Sequence, residues 1–85
     1  MDQSLGYLRE ILSVHTENDA VGKRLFNRIS THDYPTEGKF VWDLTQEENN
    51  YLNRILVEAI DYSNQEQDYE RAHQLNEVYE LLLLI

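Results

Sequence analysis

The chain has no cysteine, which excludes disulfides and thiolate metal sites as supplements to its core. It has one proline, Pro35, and three isolated glycines, Gly6, Gly22 and Gly38. Isolated glycines exclude a glycine-rich phosphate loop, and so few breakers leave room for long helices. Bases are scarce too: seven Lys and Arg stand against sixteen Asp and Glu, for a net charge of −9 over 85 residues. Like charge repels phosphate, so direct nucleic-acid binding and attraction to an anionic membrane are not expected. The longest aliphatic run, Leu81 to Ile85, is five residues, about a quarter of a membrane span. Met1-Asp2-Gln3 shows neither a basic stretch nor an apolar one after it. The expectation is therefore a cytoplasmic protein without a secretory leader.

What is present is mostly helical periodicity. A chain this short makes a single small domain and buries only about two-thirds of its unfolded surface or less. Leu5, Leu8, Ile11, Leu12 and His15 recur at helical spacing after Asp2 or Ser4 as cap; Val21, Leu25, Phe26 and Ile29 do so again. These residues, 1–30, read as two helices or one bent helix, with Thr16 to Asp19 as a polar turn. Ser30 to Gly38 is dense in turn formers. Residues 39–44, Lys-Phe-Val-Trp-Asp-Leu, are aromatic and β-branched and read as a short extended arm, packed on the domain or paired with a second copy.

The strongest signal follows. Thr45-Gln-Glu-Glu48 is a capping box, and Leu52, Ile55, Leu56, Ala59 and Ile60 keep one helical stripe. A helix over about 46–62 is predicted. Ser63-Asn-Gln-Glu66 repeats the box pattern, which predicts a second helix from about 65 to 84 with Tyr69, Ala72, Leu75, Tyr79, Leu82 and Leu83 facing the core. The short link makes residues 45–85 an antiparallel αα-hairpin. The fold expected is thus mainly α: a hairpin over about 46–84, packed with one or two N-terminal helices and the arm. The Leu81, Leu82, Leu83, Leu84 and Ile85 run is apolar all round a helix, more than one hairpin stripe buries, which implies contact with the first half, with a second copy or with a partner; a two-fold homodimer, the commonest oligomer, is the favoured reading.

Charge is unevenly placed. Residues 1–42 sum to −1, while residues 43–85 hold ten acids with only Arg54 and Arg71, for −8. One reading is a solvated face that keeps the protein soluble. The other is a surface that steers a basic protein partner into place. Crowded carboxylates cost stability, which a partner, or a dimer mate supplying Lys23, Arg24 and Arg28, would offset. Candidate partner-binding residues are Glu47, Glu48, Glu58, Asp61 and Glu66, with Trp42, Tyr51 and Tyr62 as apolar anchors. Trp42 reads equally well as the anchor locking the arm onto the hairpin.

Chemistry finds little purchase. Glu70-Arg-Ala-His73 has the Glu-x-x-His spacing of carboxylate-bridged metal bundles, but those need two such motifs and further carboxylates, so neither metal nor cofactor is expected. Ser4, Ser13, Ser30 and Ser63 fall at caps, turns or polar helix faces, and no nucleophile–base pairing suggests itself. An enzyme is not expected.

The segment Leu44-Thr-Gln-Glu-Glu48, followed by Leu52, Ile55 and Leu56 and then a hairpin, resembles the small acidic helical regulators of Bacillus, the AbbA-type antirepressors. The matching positions are Thr45, Glu47, Glu48, Leu52, Ile55 and Leu56. The resemblance implies a helical dimer whose acidic face imitates DNA phosphates. The functional expectation is a non-catalytic regulator that covers a basic surface of a DNA-binding protein or transcription component. The alternatives are an immunity or antitoxin protein neutralising a basic toxin or nuclease, and a structural adaptor docking by its apolar C-terminus.

Overall fold

A computed structural model describes residues 2–84 and contains five helices: α1 Gln3–Ser13, α2 Ala20–Thr31, α3 Glu37–Trp42, α4 Gln46–Gln65 and α5 Tyr69–Leu84. No strand occurs among the described residues. Each helix starts where a polar side chain takes up N–H groups that the first turn leaves free. Asp2 accepts from the backbone of Ser4 and Leu5, and Asp19 from Val21 and Gly22. Thr36 accepts from Lys39, and Asp68 from the Arg71 N–H at 3.2 Å. The capping box of α4 forms as its sequence predicts, with Thr45 and Glu48 each accepting from the other's backbone. Residues 14–19 are a turn, so the N-terminal periodicity is two helices.

The mainly α architecture and the hairpin over 46–84 are what the structure shows. Asn49 at the start of α4 donates its Nδ2 to the Leu82 carbonyl near the end of α5, at 3.3 Å. The two helices are therefore antiparallel. The turn between them differs from expectation. Ser63 does not cap α5; it is buried inside α4, which runs on to Gln65. The reason is backbone closure: Gln67 sits at φ 61°, and the Asp68 and Gln67 N–H groups bond the carbonyls of Ser63 and Asn64 at 2.8 and 3.1 Å. That is the left-handed helix stop, and it moves the start of α5 to Tyr69.

The extended arm over 39–44 is also corrected. Residues 37–42 are helix α3, started by Thr36 and favoured by Glu37 in its first turn. Phe40 and Val41 are both buried. Consecutive residues point to opposite faces of a strand but stand only about 100° apart on a helix, so a helix can turn both towards one core despite their β propensity. Pairing of residues 39–44 with a second copy as strands falls with the arm.

All five helices feed one core. Leu5, Leu8 and Leu12 come from α1, Leu25 and Ile29 from α2, Phe40 and Val41 from α3, Leu52 and Leu56 from α4, and Leu75, Val78 and Leu82 from α5. Helix α5 packs along α4 and also receives α1 and α3, while α1 leans on α2. The radius of gyration, 11.8 Å, matches the value of about 12 Å for a compact chain of this length. In the C-terminal run, Leu82 is buried, Leu81 half-buried, and Leu83 and Leu84 exposed; Ile85 lies outside the described residues. Tyr69, predicted for the core stripe, is exposed because α5 begins with it. No described helix is long and apolar enough to cross a membrane.

Candidate functional site

The first turn of α4 carries the most organised polar group in the molecule. Glu48 is 0% exposed. Arg28 grips its carboxylate with both terminal nitrogens, Nη1 to Oε1 at 2.8 Å and Nη2 to Oε2 at 2.7 Å. Arg24 Nε donates to Oε2 at 2.8 Å, and the Thr45 N–H to Oε1 at 2.9 Å. Burial alone would raise this carboxyl. The donors from Arg28, Thr45 and Arg24 outweigh burial and bring its pKa down to about 2. Arg24 also reaches the exposed Glu47 at 3.0 Å. The arginines assigned to a dimer mate are thus supplied by the chain's own α2. They stand four residues apart on one helical face, a spacing visible in the sequence, but that this face meets Glu48 is decided by packing.

Beside this cluster, Tyr51 is buried rather than presented to a partner. Burial, with Asp19 next to the hydroxyl, pushes it up to about 12. His15 meets the Tyr51 ring edge-on, with centroids 6.3 Å apart, and Arg54 lies over it at 5.5 Å. Gly22 is what lets α2 come this close: a Cβ there would stand 2.2 Å from the His15 carbonyl oxygen and 2.6 Å from the Tyr51 hydroxyl.

The other predicted residues do not form one surface. At about 100° per residue, Glu47, Tyr51, Glu58 and Tyr62 follow one flank of α4, with Asp61 at its edge, about 40° from Glu47. Glu58, Asp61, Tyr62 and Glu66 are exposed; Asp61 accepts from Gln65 at 3.1 Å, and Glu66 closes α4. Trp42 is 77% exposed at the end of α3, over a shallow hollow it shares with Thr36, Gly38 and Lys39. Phe40 and Val41, not Trp42, anchor that helix. His73 of the Glu-x-x-His spacing pairs with Glu77 at 3.3 Å, and among the described residues no three potential ligands converge as a metal site.

Sequence reasoning missed two features. Glu37 has a buried Oε2 without a hydrogen-bond partner. Burial pushes this carboxyl up, Ser4 opposes, and the charges of Glu77 and Asp2 add to the rise. Nothing in the local sequence brings residues 2, 37 and 77 together. The second is the exposure of Val57, Tyr69 and Leu83 on the outer side of the hairpin; spacing places Val57 off the core stripe, and that was the available signal.

Comparison with known proteins overturns the antirepressor reading. A family model described as "CsgA: Minor curli fiber component A" matches residues 1–83. A protein of Bacillus subtilis (strain 168) named "Sigma-G-dependent sporulation-specific SASP protein" is 49% identical over 83 residues, 98% of this chain and 100% of that protein. No solved structure matches the chain. The AbbA-type resemblance rested on Thr45, Glu47, Glu48, Leu52, Ile55 and Leu56. These are a capping box and a buried stripe, which any amphipathic helix start shares, and a match along the whole chain outweighs them. The regulator, inhibitor and antirepressor assignment goes with it, and neither the immunity or antitoxin alternative nor the adaptor gains support. Glu48, which was to meet a basic partner, meets Arg24 and Arg28 instead. The chain belongs to the CsgA family, on a match that runs from its first residue to its eighty-third.

Proposed function

We propose that this chain is a sporulation protein made under sigma-G control, working in the cytoplasm as a folded, non-catalytic component. The observation that carries this reading is the 49% identity to the Bacillus subtilis protein over the full length of that protein. Its name speaks of sporulation and sigma-G, and identity at that level over a whole small domain favours a shared role.

The non-catalytic part is supported by how the buried polar groups are used. Glu48 is the one charged side chain that is fully buried among the described residues, and its acceptor positions are filled by two arginines and a backbone N–H. The buried Ser4 hydroxyl donates to Gln74 at 2.6 Å, not to a histidine that would activate it. The fibre of the family description is not carried over to this chain. Its described elements are helices whose backbone groups are satisfied internally, with no sheet edge to template a fibre.

The test places the gene with its own promoter in Bacillus subtilis and follows the protein by immunoblot through growth and sporulation. The protein should appear only in sporulating cells and vanish in a strain lacking sigma-G. Accumulation during vegetative growth, or indifference to sigma-G, overturns the proposal.

A further inference from the structure

The N-terminal helices cover one side of the hairpin. On the other, the outer flanks of α4 and α5 keep an apolar stripe: Val57 is 50% exposed and Leu83 61%, with Ile60 and Tyr79 half-buried between them. Spacings of three on α4 and four on α5 put each pair on one flank. Val57, Ile60 and Tyr79 line a cleft of about 290 Å³ between the helices. The groove between two antiparallel helices accepts a third helix by ridge-into-groove packing.

The rim is acidic. Asp61 borders the cleft from α4 and Asn76 from α5, and the exposed Glu80, one turn beyond Asn76, accepts from its Nδ2 at 2.7 Å. Arg54, three residues before Val57 on the same flank, turns over the Tyr51 ring, and Arg71 on α5 lies over Tyr7. A second copy fits this charge poorly, because residues 43–85 carry −8 and two hairpins meeting groove to groove would repel. We propose that the outer groove of the α4/α5 hairpin docks a helix of another protein, apolar along one stripe and basic beside it. The apolar stripe supplies affinity, and Asp61 and Glu80 select lysines or arginines flanking it. The proposal does not rest on the sporulation reading and stands or falls separately.

The test uses the full chain, isotope-labelled for amide NMR, and a synthetic peptide of leucine and lysine patterned as an amphipathic helix of about 18 residues, five turns. A peptide of the same composition in scrambled order is the control. Shifts should cluster on Val57, Ile60, Tyr79 and Leu83 with the patterned peptide and be absent with the scrambled one. Val57→Lys should weaken binding about tenfold or more by placing like charge in the groove, while Tyr62→Lys on the opposite flank leaves it unchanged. Both positions are exposed enough to keep the fold, which circular dichroism checks; Leu83→Lys serves if Val57→Lys unfolds. Shifts that map elsewhere, equal binding of both peptides, or indifference to Val57→Lys overturn the proposal. So does sedimentation as a dimer that Val57→Lys dissociates, which assigns the groove to a second copy.

Discussion

Replacing Glu48 with glutamine keeps the shape of the side chain and removes its charge. The magnitude follows from the carboxyl's displacement from an ordinary 4.5 to about 2 in the fold. At about 1.4 kcal/mol per unit, ionised Glu48 contributes about 3 kcal/mol to stability near neutral pH. Removing one member of a fully buried ion pair costs about 3–5 kcal/mol. The lower end applies here, because Arg24 is half-exposed and Arg28 a fifth exposed, so both regain some water. A domain of this size is stable by only about 4–13 kcal/mol, and the loss should lower Tm by about 15 °C. The assay is urea denaturation followed by circular dichroism across a pH series. The folded carboxyl is the stronger acid, so its contribution is full above pH about 5 and is lost as pH falls towards 2. The gap between wild type and Glu48→Gln should therefore close over that window. A gap under about 1 kcal/mol at pH 7, or one that does not change with pH, refutes the reasoning. Arg28→Leu should cost more than Arg24→Leu, because Arg28 makes the two-pronged contact.

Two glycines of the same helical type should behave oppositely. A Cβ at Gly6 meets nothing within 4 Å, so Gly6→Ala should stabilise by about 0.5–1 kcal/mol. Gly22→Ala should destabilise, because its methyl would collide with the His15 backbone; thermal melts of the pair check both signs. Gln67→Gly should raise stability by about 0.5–1 kcal/mol, by relieving a side chain at positive φ, and a neutral or harmful effect in the same melts counts against the turn described. Glu37→Gln should stabilise near neutral pH, where the raised carboxyl is ionised beside Glu77 and Asp2. That gain should shrink as pH falls through the folded pKa and Glu37 takes up a proton; a gain that grows on acidification contradicts the cluster.

Local rules made much of the architecture readable. Asp2, Asp19 and the Thr45–Glu48 box mark helix starts because each is satisfied within three residues. The stripes Leu5–Leu8–Leu12 and Leu52–Ile55–Leu56 mark buried faces because a helix brings every third and fourth residue together. Local rules failed where two short-range readings compete. Ser63-Asn-Gln-Glu66 has the letters of a cap, yet the helix continues through it. Residues 39–44 have the letters of a strand, yet helix α3 forms because it buries Phe40 and Val41 together.

The functional reading failed for a related reason. Surface charge was assigned to a partner because a sequence does not show which acids already have one. Glu48 lies 24 residues from Arg24 and 20 from Arg28, and Asp2, Glu37 and Glu77 lie further apart still. The sequence by itself determined where α1, α2 and α4 start, which stripes they bury, that α4 and α5 form a hairpin, and that its net charge is acidic. Those follow from contacts within one or two turns and from counting. Only the tertiary structure decided that Glu48 is neutralised from within, that Tyr51 is core and Trp42 surface, and that one side of the hairpin stays bare. Those depend on how α1, α2 and α3 dock on the hairpin, and docking is set by the joint packing of faces distant in the chain.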